Sequence, residues 1–483
     1  MENTRLKSIK VRTAAWFGDT QRTFEVPDDF MIDYIAPMDA AAISEAEIRK
    51  AITAPIGPTL QHLTNQRKRV VIVVDDLGRP TPASQIIPAV LEELSNAGIL
   101  TKDIRFLIAT GSHRQLNRDD QIKKLGEYVV TTFQVDCHDA FKSPMVKLGR
   151  LSNGFPVVVN RIAAEAELLI GIGCVIPHAC HGFGGGAKLF CPGIAGMQSI
   201  AMMHGFTRKR GRAVLEIPAD TWDMRTVSEA FAEFLPPRFL VNVVVNTERQ
   251  ISGIFCGETH SVFKSASAFA SQIYRTAIDR ANAKKYDVVL VNMYPLDSDP
   301  VQSGKSPWIQ KFFPNALPIQ INTSADGIDY HGWKLLRRLS LYRVLALYIG
   351  KGFSLQFMPP TIRRFGSFWP FRWTRDLAAK ALIFNAQADY QSFMSQLRTN
   401  DNERPGDVQV TVATDPSRQP WIFSEFYPPK QFKNKYKNGT LLKSWPDVVQ
   451  AISSHFKSPR IAVATAATVQ IPEWMDSPNQ IED

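Results

Sequence analysis

Three apolar segments in the first half of the chain end in the same way, and this feature constrains the fold most. "KRVVIVVDD" (68–76), "DIRFLIATGSHR" (103–114) and "AELLIGIGCVIPH" (166–178) each run through β-branched and aliphatic residues into a turn of small or polar residues. Helical patterns lie between them. Continuous apolar strands that alternate with helices are typical of a mostly parallel sheet covered on both faces. We therefore predict an α/β fold.

The second half of the chain repeats this pattern. "YDVVLVNMYP" (286–295) and "PIQINTSADG" (318–327) indicate further buried strands, and a helix-like stretch at 261–285 precedes them. With 483 residues the chain is too long for one ordinary core. We predict two domains, 1–275 and 276–483, each with a mostly parallel sheet flanked by helices, and an active site in the cleft between them. A basic and aromatic insertion near 335–375 has a role that the sequence leaves open.

Charge and cysteine content narrow the class of protein. A formal net charge of +10 favours acidic partners, which include small anions, nucleic acid and membrane surfaces. Five cysteines without a CxxC pattern argue against a disulfide framework. The N-terminal residues lack an apolar signal region, and no later apolar run is long and uncharged enough to span a bilayer. We expect a cytoplasmic location.

Polar and basic residues follow each of the first three strands. Arg79, His113 and His178 stand just beyond the strand ends. In parallel α/β sheets, ligands bind in the crevice at the carboxyl ends of the strands. These three side chains are therefore predicted to converge on one site.

The stretch "PHACHGFGGGAKLFCPG" (177–193) contains five glycines and one lysine, Lys188. A P-loop needs glycine before that lysine and serine or threonine after it, but Ala187 and Leu189 stand there. The glycines permit positive φ and let the backbone approach a bulky planar or anionic group. Two roles are then open for Lys188, that of a phosphate ligand and that of a covalent anchor.

Two metal-binding possibilities accompany this stretch. A zinc site built from cysteines and one histidine is weak, because the spacing matches no common structural zinc pattern; its members would be Cys174, Cys180, His181 and Cys191. His204 follows on an apolar helical face, where a histidine is more often a core residue than a ligand. On local pattern alone His204 carries no metal assignment.

Taken together, these motifs resemble the nickel-dependent lactate racemase family. They occur in the family's order: "DLGRP" (76–80), "GSHR" (111–114), His178, "GFGGGAK" (182–188), Pro-Gly (192–193), His204, and Gln302 with Lys305. The resemblance covers roughly residues 20–335. One departure is Val301, where lactate racemases typically have tyrosine.

The resemblance implies a cofactor. Family members carry a nickel-pincer nucleotide, pyridinium-3-thioamide-5-thiocarboxylic acid mononucleotide. By resemblance Lys188 would be its covalent attachment point, and His204 a nickel ligand. Gly185 and Gly186 would admit its flat ring, and Asp76 would contact its ribose or orient the nearby arginine.

The resemblance also implies an isomerase, a racemase or epimerase of 2-hydroxy acids. Hydride transfer to the pincer carbon would accompany proton removal from the hydroxyl by His113 or His178, one for each enantiomer. Arg79, Gln302 and Lys305 would bind the substrate. The implied partners are a small 2-hydroxy acid and, transiently, cofactor-biosynthesis enzymes.

Two alternatives remain. The first is a non-catalytic relative that binds small anions without cofactor. The second is a basic nucleic-acid or membrane-surface protein that uses residues 335–375, which we rank last because the apolar residues there form no clean amphipathic stripe. We therefore expect neither a nucleic-acid partner nor a membrane span.

Overall fold

The computed structural model describes residues 6–140, 142–179, 181–206, 223–304, 308–326, 420–436 and 438–475. Cys180, Lys305 and the basic and aromatic segment 335–375 lie outside the described residues. The helix Met197–Phe206 includes His204, but the side chain of His204 is also outside the description.

The described elements alternate between strands and helices along most of the chain. The strands are β1 Leu6–Thr13, β2 Thr20–Pro27, β3 Met31–Ile35, β4 Val70–Asp75, β5 Ile104–Ala109, β6 Gln134–Cys137, β7 Met145–Arg150, β8 Pro156–Asn160, β9 Leu168–Cys174, β10 Pro177–His178, β11 Gly182–Phe183, β12 Arg238–Val245, β13 Ile251–Gly257, β14 Arg275–Asp279, β15 Val288–Asn292, β16 Leu317–Ile321, β17 Trp421–Phe423, β18 Thr440–Leu442, β19 Arg460–Ala464 and β20 Ile471–Met475. The helices are α1 Glu45–Thr53, α2 Leu60–Leu63, α3 Ala83–Asn96, α4 Arg118–Leu125, α5 Glu127–Thr132, α6 Arg161–Ala164, α7 Met197–Phe206, α8 Asp223–Ala232, α9 Thr259–Ile273, α10 Arg280–Ala283, α11 Pro300–Ser303, α12 Pro429–Lys435 and α13 Trp445–His455.

The first sheet has the strand order β13-β12-β9-β4-β5-β6, and every pair except β12/β13 is parallel. Every residue of its central strand β4 is buried. Ile72 packs into a core with Val90 of α3, whereas Val73 packs on the opposite face with Phe231 of α8. Both faces of the sheet are therefore covered by helices, and the prediction of an α/β fold is confirmed.

The second sheet is parallel throughout, with the strand order β18-β17-β16-β15-β19-β3. Its edge strand β3 comes from the N-terminal part of the chain and pairs with β19. The β1–β2 hairpin packs Val11 and Phe24 into the same core as Leu290. The β3/β19 pairing and the packing of the hairpin place the first strands of the chain on the second sheet. The domain boundary near residue 275 stays a prediction.

The helix predicted at 261–285 is shorter in the structure. Helix α9 ends at Ile273, and the chain continues into β14, which pairs in parallel with β20. In "RTAID" (275–279) Thr276 and Ile278 are buried and their neighbours are more exposed. This period of two is that of a strand, and it is masked in the sequence by the helical pattern before it.

The strand order places the ligand-binding edge of the first sheet. From β4 the chain moves to β5 and β6 on one side, whereas β9, β12 and β13 lie on the other. In open α/β sheets the crevice at such a switch point, beyond the carboxyl ends of the strands, is where ligands bind. The residues that follow β4, β5 and β9 therefore share one edge. No helix in the described part of the chain is long and apolar enough to cross a membrane.

Candidate active site

The turn after β4 presents Asp76 and Arg79. The backbone N–H of Gly78 donates to Asp76 Oδ1 (3.0 Å), and the backbone N–H of Arg79 donates to the Asp76 carbonyl (3.2 Å). The Arg79 guanidinium donates to the Gly78 carbonyl (2.7 Å) and is only partly buried. The turn thus holds the Asp76 carboxylate inward and leaves the arginine at the wall of a cleft.

The turn after β5 brings His113 to that carboxylate. His113 Nδ1 lies 2.6 Å from Asp76 Oδ2. Because a carboxylate only accepts, Nδ1 carries the proton and Nε2 of the neutral ring carries the lone pair. Burial opposes ionisation of Asp76, but the charges of His113, Arg79 and Lys124 and the bond from His113 outweigh it, so the pKa of Asp76 lies well below its usual value.

A buried lysine on α4 supports this turn from behind. Lys124 is 0% exposed, and its Nζ lies 2.6 Å from Asp75 Oδ1. It also donates to the carbonyls of Asp76 (3.0 Å) and Arg79 (3.2 Å). Lys124 therefore compensates a buried carboxylate and holds the backbone of the turn that carries Asp76.

His178 and His181 follow β9 on a short two-strand turn. The backbone N–H of His181 donates to His178 Nδ1 (3.3 Å), and the two imidazole rings are edge to face with centroids 5.2 Å apart. His178 is partly buried, whereas His181 is 2% exposed. The ring of His178 is thus oriented by the turn and by its neighbour.

The glycine-rich loop packs tightly against the protein itself. Gly185 and Gly186 have φ of +75° and +60°, conformations that favour glycine. A Cβ on Gly185 would lie 2.7 Å from Val175 Cγ2, and one on Gly186 would lie 2.8 Å from Phe263 Cδ2. These contacts are a reason for glycine that the sequence did not reveal. The cofactor role of both glycines stays a prediction.

One cleft of about 250 Å³ collects the residues that follow the three strands. Its described lining includes Asp76, Arg79, His113, His178, His181, Gly185 and Lys188. The backbone N–H of Gly111 donates to the Gly193 carbonyl (2.8 Å), which joins the His113 turn to the far end of the lysine loop. The predicted convergence of Arg79, His113 and His178 is present.

Of the two site residues predicted in the second half of the chain, the structure describes only Gln302. Gln302 is buried in α11, where its backbone N–H donates to Asp299 Oδ1 (3.2 Å), and it is not among the described residues that line the cleft. Sequence patterns also missed Lys124, and they offered His181 only as a member of the weak zinc site, not as a neighbour of His178 in the cleft. Lys124 lies in the polar helix "RDDQIKKL", where nothing distinguishes it from a surface lysine.

An α/β protein with a histidine–carboxylate pair, a second imidazole, an arginine and a lysine at a sheet switch point belongs to the class of small-molecule enzymes. The family model described as lactate racemase N-terminal domain matches residues 17–215. The lactate racemase of Thermoanaerobacterium thermosaccharolyticum is 32% identical over 302 residues, which are 60% of this chain and 68% of that protein. This chain belongs to the lactate racemase family and is a racemase-like enzyme.

A second relative and two solved structures agree with this placement. The lactate racemase of Lactiplantibacillus plantarum is 31% identical over 274 residues, 54% of this chain and 62% of that protein. The lactate racemase apoprotein structure from Thermoanaerobacterium thermosaccharolyticum has a TM-score of 0.62 at 22% identity and covers 97% of this chain and 100% of that one. A protein structure from Thermotoga maritima has a TM-score of 0.54 at 14% identity and covers 90% of this chain and 100% of that one. Both structures share the fold.

Proposed function

We propose that this protein inverts the C2 centre of a 2-hydroxy acid. One observation carries the proposal: the His113 imidazole, oriented by the buried Asp76 carboxylate at 2.6 Å, lines the same cleft as His178, Arg79 and Lys188. The cleft therefore holds a general base, a second imidazole, a cation for a carboxylate, and an amine. The names of the two relatives, both lactate racemases, support a small hydroxy acid as substrate.

We infer that the cofactor is a nickel-pincer nucleotide linked covalently to Lys188. The described residues fit its attachment, because Lys188 is half-buried in the cleft that contains both imidazoles. His204 is the proposed nickel ligand, and imidazole nitrogen is a donor that nickel accepts. When bound, this group supplies the acceptor to which the C2 hydrogen leaves with its electron pair and from which it returns.

The chain's own residues move the proton. The C2–H bond beside a carboxylate is too weakly acidic for direct deprotonation near neutral pH, whereas a positioned imidazole can take the hydroxyl proton as the C2 hydrogen departs. His113 is oriented for this at Nε2, because its Nδ1 proton is held by Asp76. The 2-oxo acid formed is planar at C2. His178 is proposed to return or remove the hydroxyl proton of the opposite enantiomer.

Arg79 is proposed to bind the substrate carboxylate. Its guanidinium lies in the cleft wall beside the Asp76 turn, and a guanidinium suits bidentate binding of a carboxylate. Gln302 and Lys305 remain proposed substrate contacts from the second half of the chain. Asp76 acts on His113 directly, and its contact with a cofactor ribose stays a proposal.

The test uses protein co-expressed with cofactor-making enzymes and pure enantiomers of several 2-hydroxy acids. Chiral chromatography should show interconversion of at least one pair. His113→Ala and His178→Ala should each lose about a hundred- to ten-thousand-fold in both directions, because one base removes the proton and the other returns it. The control His62→Ala changes an exposed histidine on α2 and should retain activity.

Quenched mixtures of each variant with each enantiomer test the two-base scheme. Accumulation of 2-oxo acid from opposite enantiomers in His113→Ala and His178→Ala would support it. Near wild-type racemisation by either cofactor-loaded variant would refute it.

Intact mass tests the attachment point separately. Lys188→Ala should abolish the covalent adduct, whereas Lys147→Ala, a change at an exposed lysine, should retain it. His204→Ala should lower nickel retention. An undiminished adduct in Lys188→Ala would exclude the attachment, and unchanged nickel content in His204→Ala would exclude the ligand. If the wild-type protein gains no adduct and converts no substrate, the non-catalytic alternative is favoured.

A further inference from the structure

Helix α8 holds the glycine-rich loop on both sides of Lys188. Arg225 Nη1 donates to the Gly185 carbonyl (2.9 Å) and Nη2 to the Phe183 carbonyl (2.5 Å). One turn along, the Ser228 hydroxyl has two acceptors at equal distance, the Cys191 carbonyl (2.9 Å) and the Met224 carbonyl of its own helix (2.9 Å). Residues three apart lie on one face of a helix. A single helix face therefore binds carbonyls that precede Lys188 and one that follows it.

Arg225 is an unusual residue for this position. It is 1% exposed, and its guanidinium carbon lies 3.7 Å from the centroid of the Phe263 ring. Among the described residues, its hydrogen-bond acceptors are carbonyls and none is a carboxylate. Burial lowers the pKa of Arg225 to about 10, opposed by Glu229. The side chain thus stays charged at neutral pH.

Stability alone does not account for this buried charge. Removing a cation from water without a carboxylate partner is costly, and an apolar side chain of similar size would fill the space without that cost. The two carbonyls recover part of the loss only when the loop has its present conformation. The guanidinium and the loop conformation are therefore coupled.

The loop itself is shaped to meet this clamp. A Cβ on Gly186 would lie 2.9 Å from Arg225 Nη1 and 2.9 Å from Phe263 Cγ. Only glycine allows the backbone to come this close to the guanidinium. On the other side, Asn242 Oδ1 accepts the Gly186 N–H (2.8 Å). The loop is thus held between α8, α9 and β12.

We propose that Arg225, assisted by Ser228, is a positioning residue that directs the Lys188 amine into the cleft, so that an aromatic mononucleotide can be attached there. The proposal rests on the proposed function in one respect, the role of Lys188 as attachment point. Arg225 acts through the carbonyls of Phe183 and Gly185. Without it a loop of four glycines between 182 and 186 has many other conformations open to it.

The test measures the reactivity of Lys188 in the full chain without cofactor. Pyridoxal 5′-phosphate, a pyridine aldehyde with a phosphate, condenses with a lysine amine to an imine and water, and borohydride reduces the imine. Peptide mass spectrometry then gives the labelling rate of each lysine. Exposed Lys50 on α1 is the internal standard. Thermal unfolding of each variant reports on the fold.

Arg225→Met should slow labelling of Lys188 relative to Lys50 by about tenfold or more, because misplaced reacting groups lose rate steeply. Arg225→Lys keeps the charge but not the two-armed donor, so an intermediate rate is expected. Ser228→Ala should give a smaller decrease. Arg238→Met is the matched control. Arg238 also donates to two backbone carbonyls, those of Leu235 and Pro236. It lies on β12, however, and is not among the described residues that line the cleft.

A wild-type labelling ratio in folded Arg225→Met would overturn the proposal. If Arg225→Met does not fold, unchanged ratios in both Arg225→Lys and Ser228→Ala would overturn it. The labelling needs neither nickel nor substrate. Racemase activity is measured separately, on wild-type protein co-expressed with the cofactor-making enzymes. If that protein is inactive but the labelling ratio falls in Arg225→Met, the positioning role stands and the proposed function is refuted. If that protein is active but the ratio is unchanged in Arg225→Met, the proposed function stands and the positioning role is refuted.

Discussion

Asp76 is the residue on which the polar contacts of the cleft converge. Its carboxylate accepts from His113 Nδ1 and from the Gly78 N–H, and its carbonyl accepts from Lys124 Nζ and the Arg79 N–H. One residue thus sets the ring orientation of the proposed base and the path of the turn that presents Arg79.

Asp76→Asn should lower the turnover number by about a hundred- to ten-thousand-fold, because a neutral amide neither stabilises an imidazolium nor selects the Nδ1–H tautomer. Steady-state kinetics of cofactor-loaded protein checks this. The control is Asp136→Asn, which removes the carboxylate paired with Arg105 on the neighbouring strand. Equal turnover in Asp76→Asn and wild type would show that the pair has no catalytic role.

His138 is a second histidine with a defined tautomer, but it is fully buried. Its Nε2 donates to the Ala195 carbonyl (3.0 Å), and its Nδ1 accepts from Asn160 Nδ2 (3.1 Å). Burial lowers its pKa to about 4, although the bond to Ala195 opposes this. The folded protein therefore holds His138 neutral.

This neutral histidine should make stability fall as pH falls from about 6.5 towards 4, because the unfolded chain binds a proton there that the folded chain does not. Below pH 4 the loss amounts to about 3 kcal/mol. Urea unfolding of wild type and His138→Gln at several pH values checks this. Glutamine can make similar bonds without titrating, so its profile should be flatter, and parallel profiles would contradict the assignment.

At the scale of the element, the packing of the loop after β9 accounts for two of its glycines. Positive φ and close contacts with Val175 and Phe263 require glycine at 185 and 186. Gly184 differs: a Cβ there would meet nothing closer than 3.6 Å, and its φ is not in the left-handed region. Packing of the protein therefore requires glycine at 185 and 186 but not at 184.

Gly186→Ala should destabilise the protein without cofactor by about 1–3 kcal/mol, because the added methyl group meets Phe263 and the φ of +60° is strained. Gly184→Ala should stay within about 1 kcal/mol of wild type. Urea unfolding of cofactor-free protein measures both. Equal effects of the two changes would refute packing as the cause.

At the scale of the whole molecule, an ion-pair group and a hairpin loop are among the contacts that join the two sheets. Arg114, next to His113, lies 2.6 Å from Asp120 of the first sheet's α4 and 2.6 Å from Asp326, which follows β16 of the second sheet. The loop of the β1–β2 hairpin donates two backbone N–H groups to Asp297, which follows β15 of the second sheet. Trp16 of the same loop packs into the core of the first sheet that contains Ile72. The proposed base therefore lies beside a direct connection between the two sheets.

Arg114→Met and Asp326→Asn should show a coupling of about 0.5–3 kcal/mol in a double-mutant cycle, because a partly buried, bonded ion pair connects them. Urea unfolding supplies the four free energies. The pair Arg105 and Asp136, which lies within the first sheet, gives a reference cycle. Additive effects of the first pair would show that it does not join the sheets energetically.

How much was predictable depends on the range of the interactions. The β-branched runs predicted β4, β5, β9 and β15, because an apolar strand and its turn are encoded in neighbouring residues. Because the carboxyl ends of parallel strands meet at one edge of a sheet, the residues after three strands were expected at that edge. Arg79, His113 and His178 do line one cleft. The sequence by itself determined the fold class and this part of the site.

Only the tertiary structure decided the contacts between distant segments. Lys124 and Arg225 look like surface charges of their helices, yet both are buried against backbone carbonyls of the site. The pairing of β3 with β19 joins strands more than four hundred residues apart. No local period records such contacts, because a buried polar group is identified by the partner that satisfies it, and that partner is chosen by how the chain closes on itself.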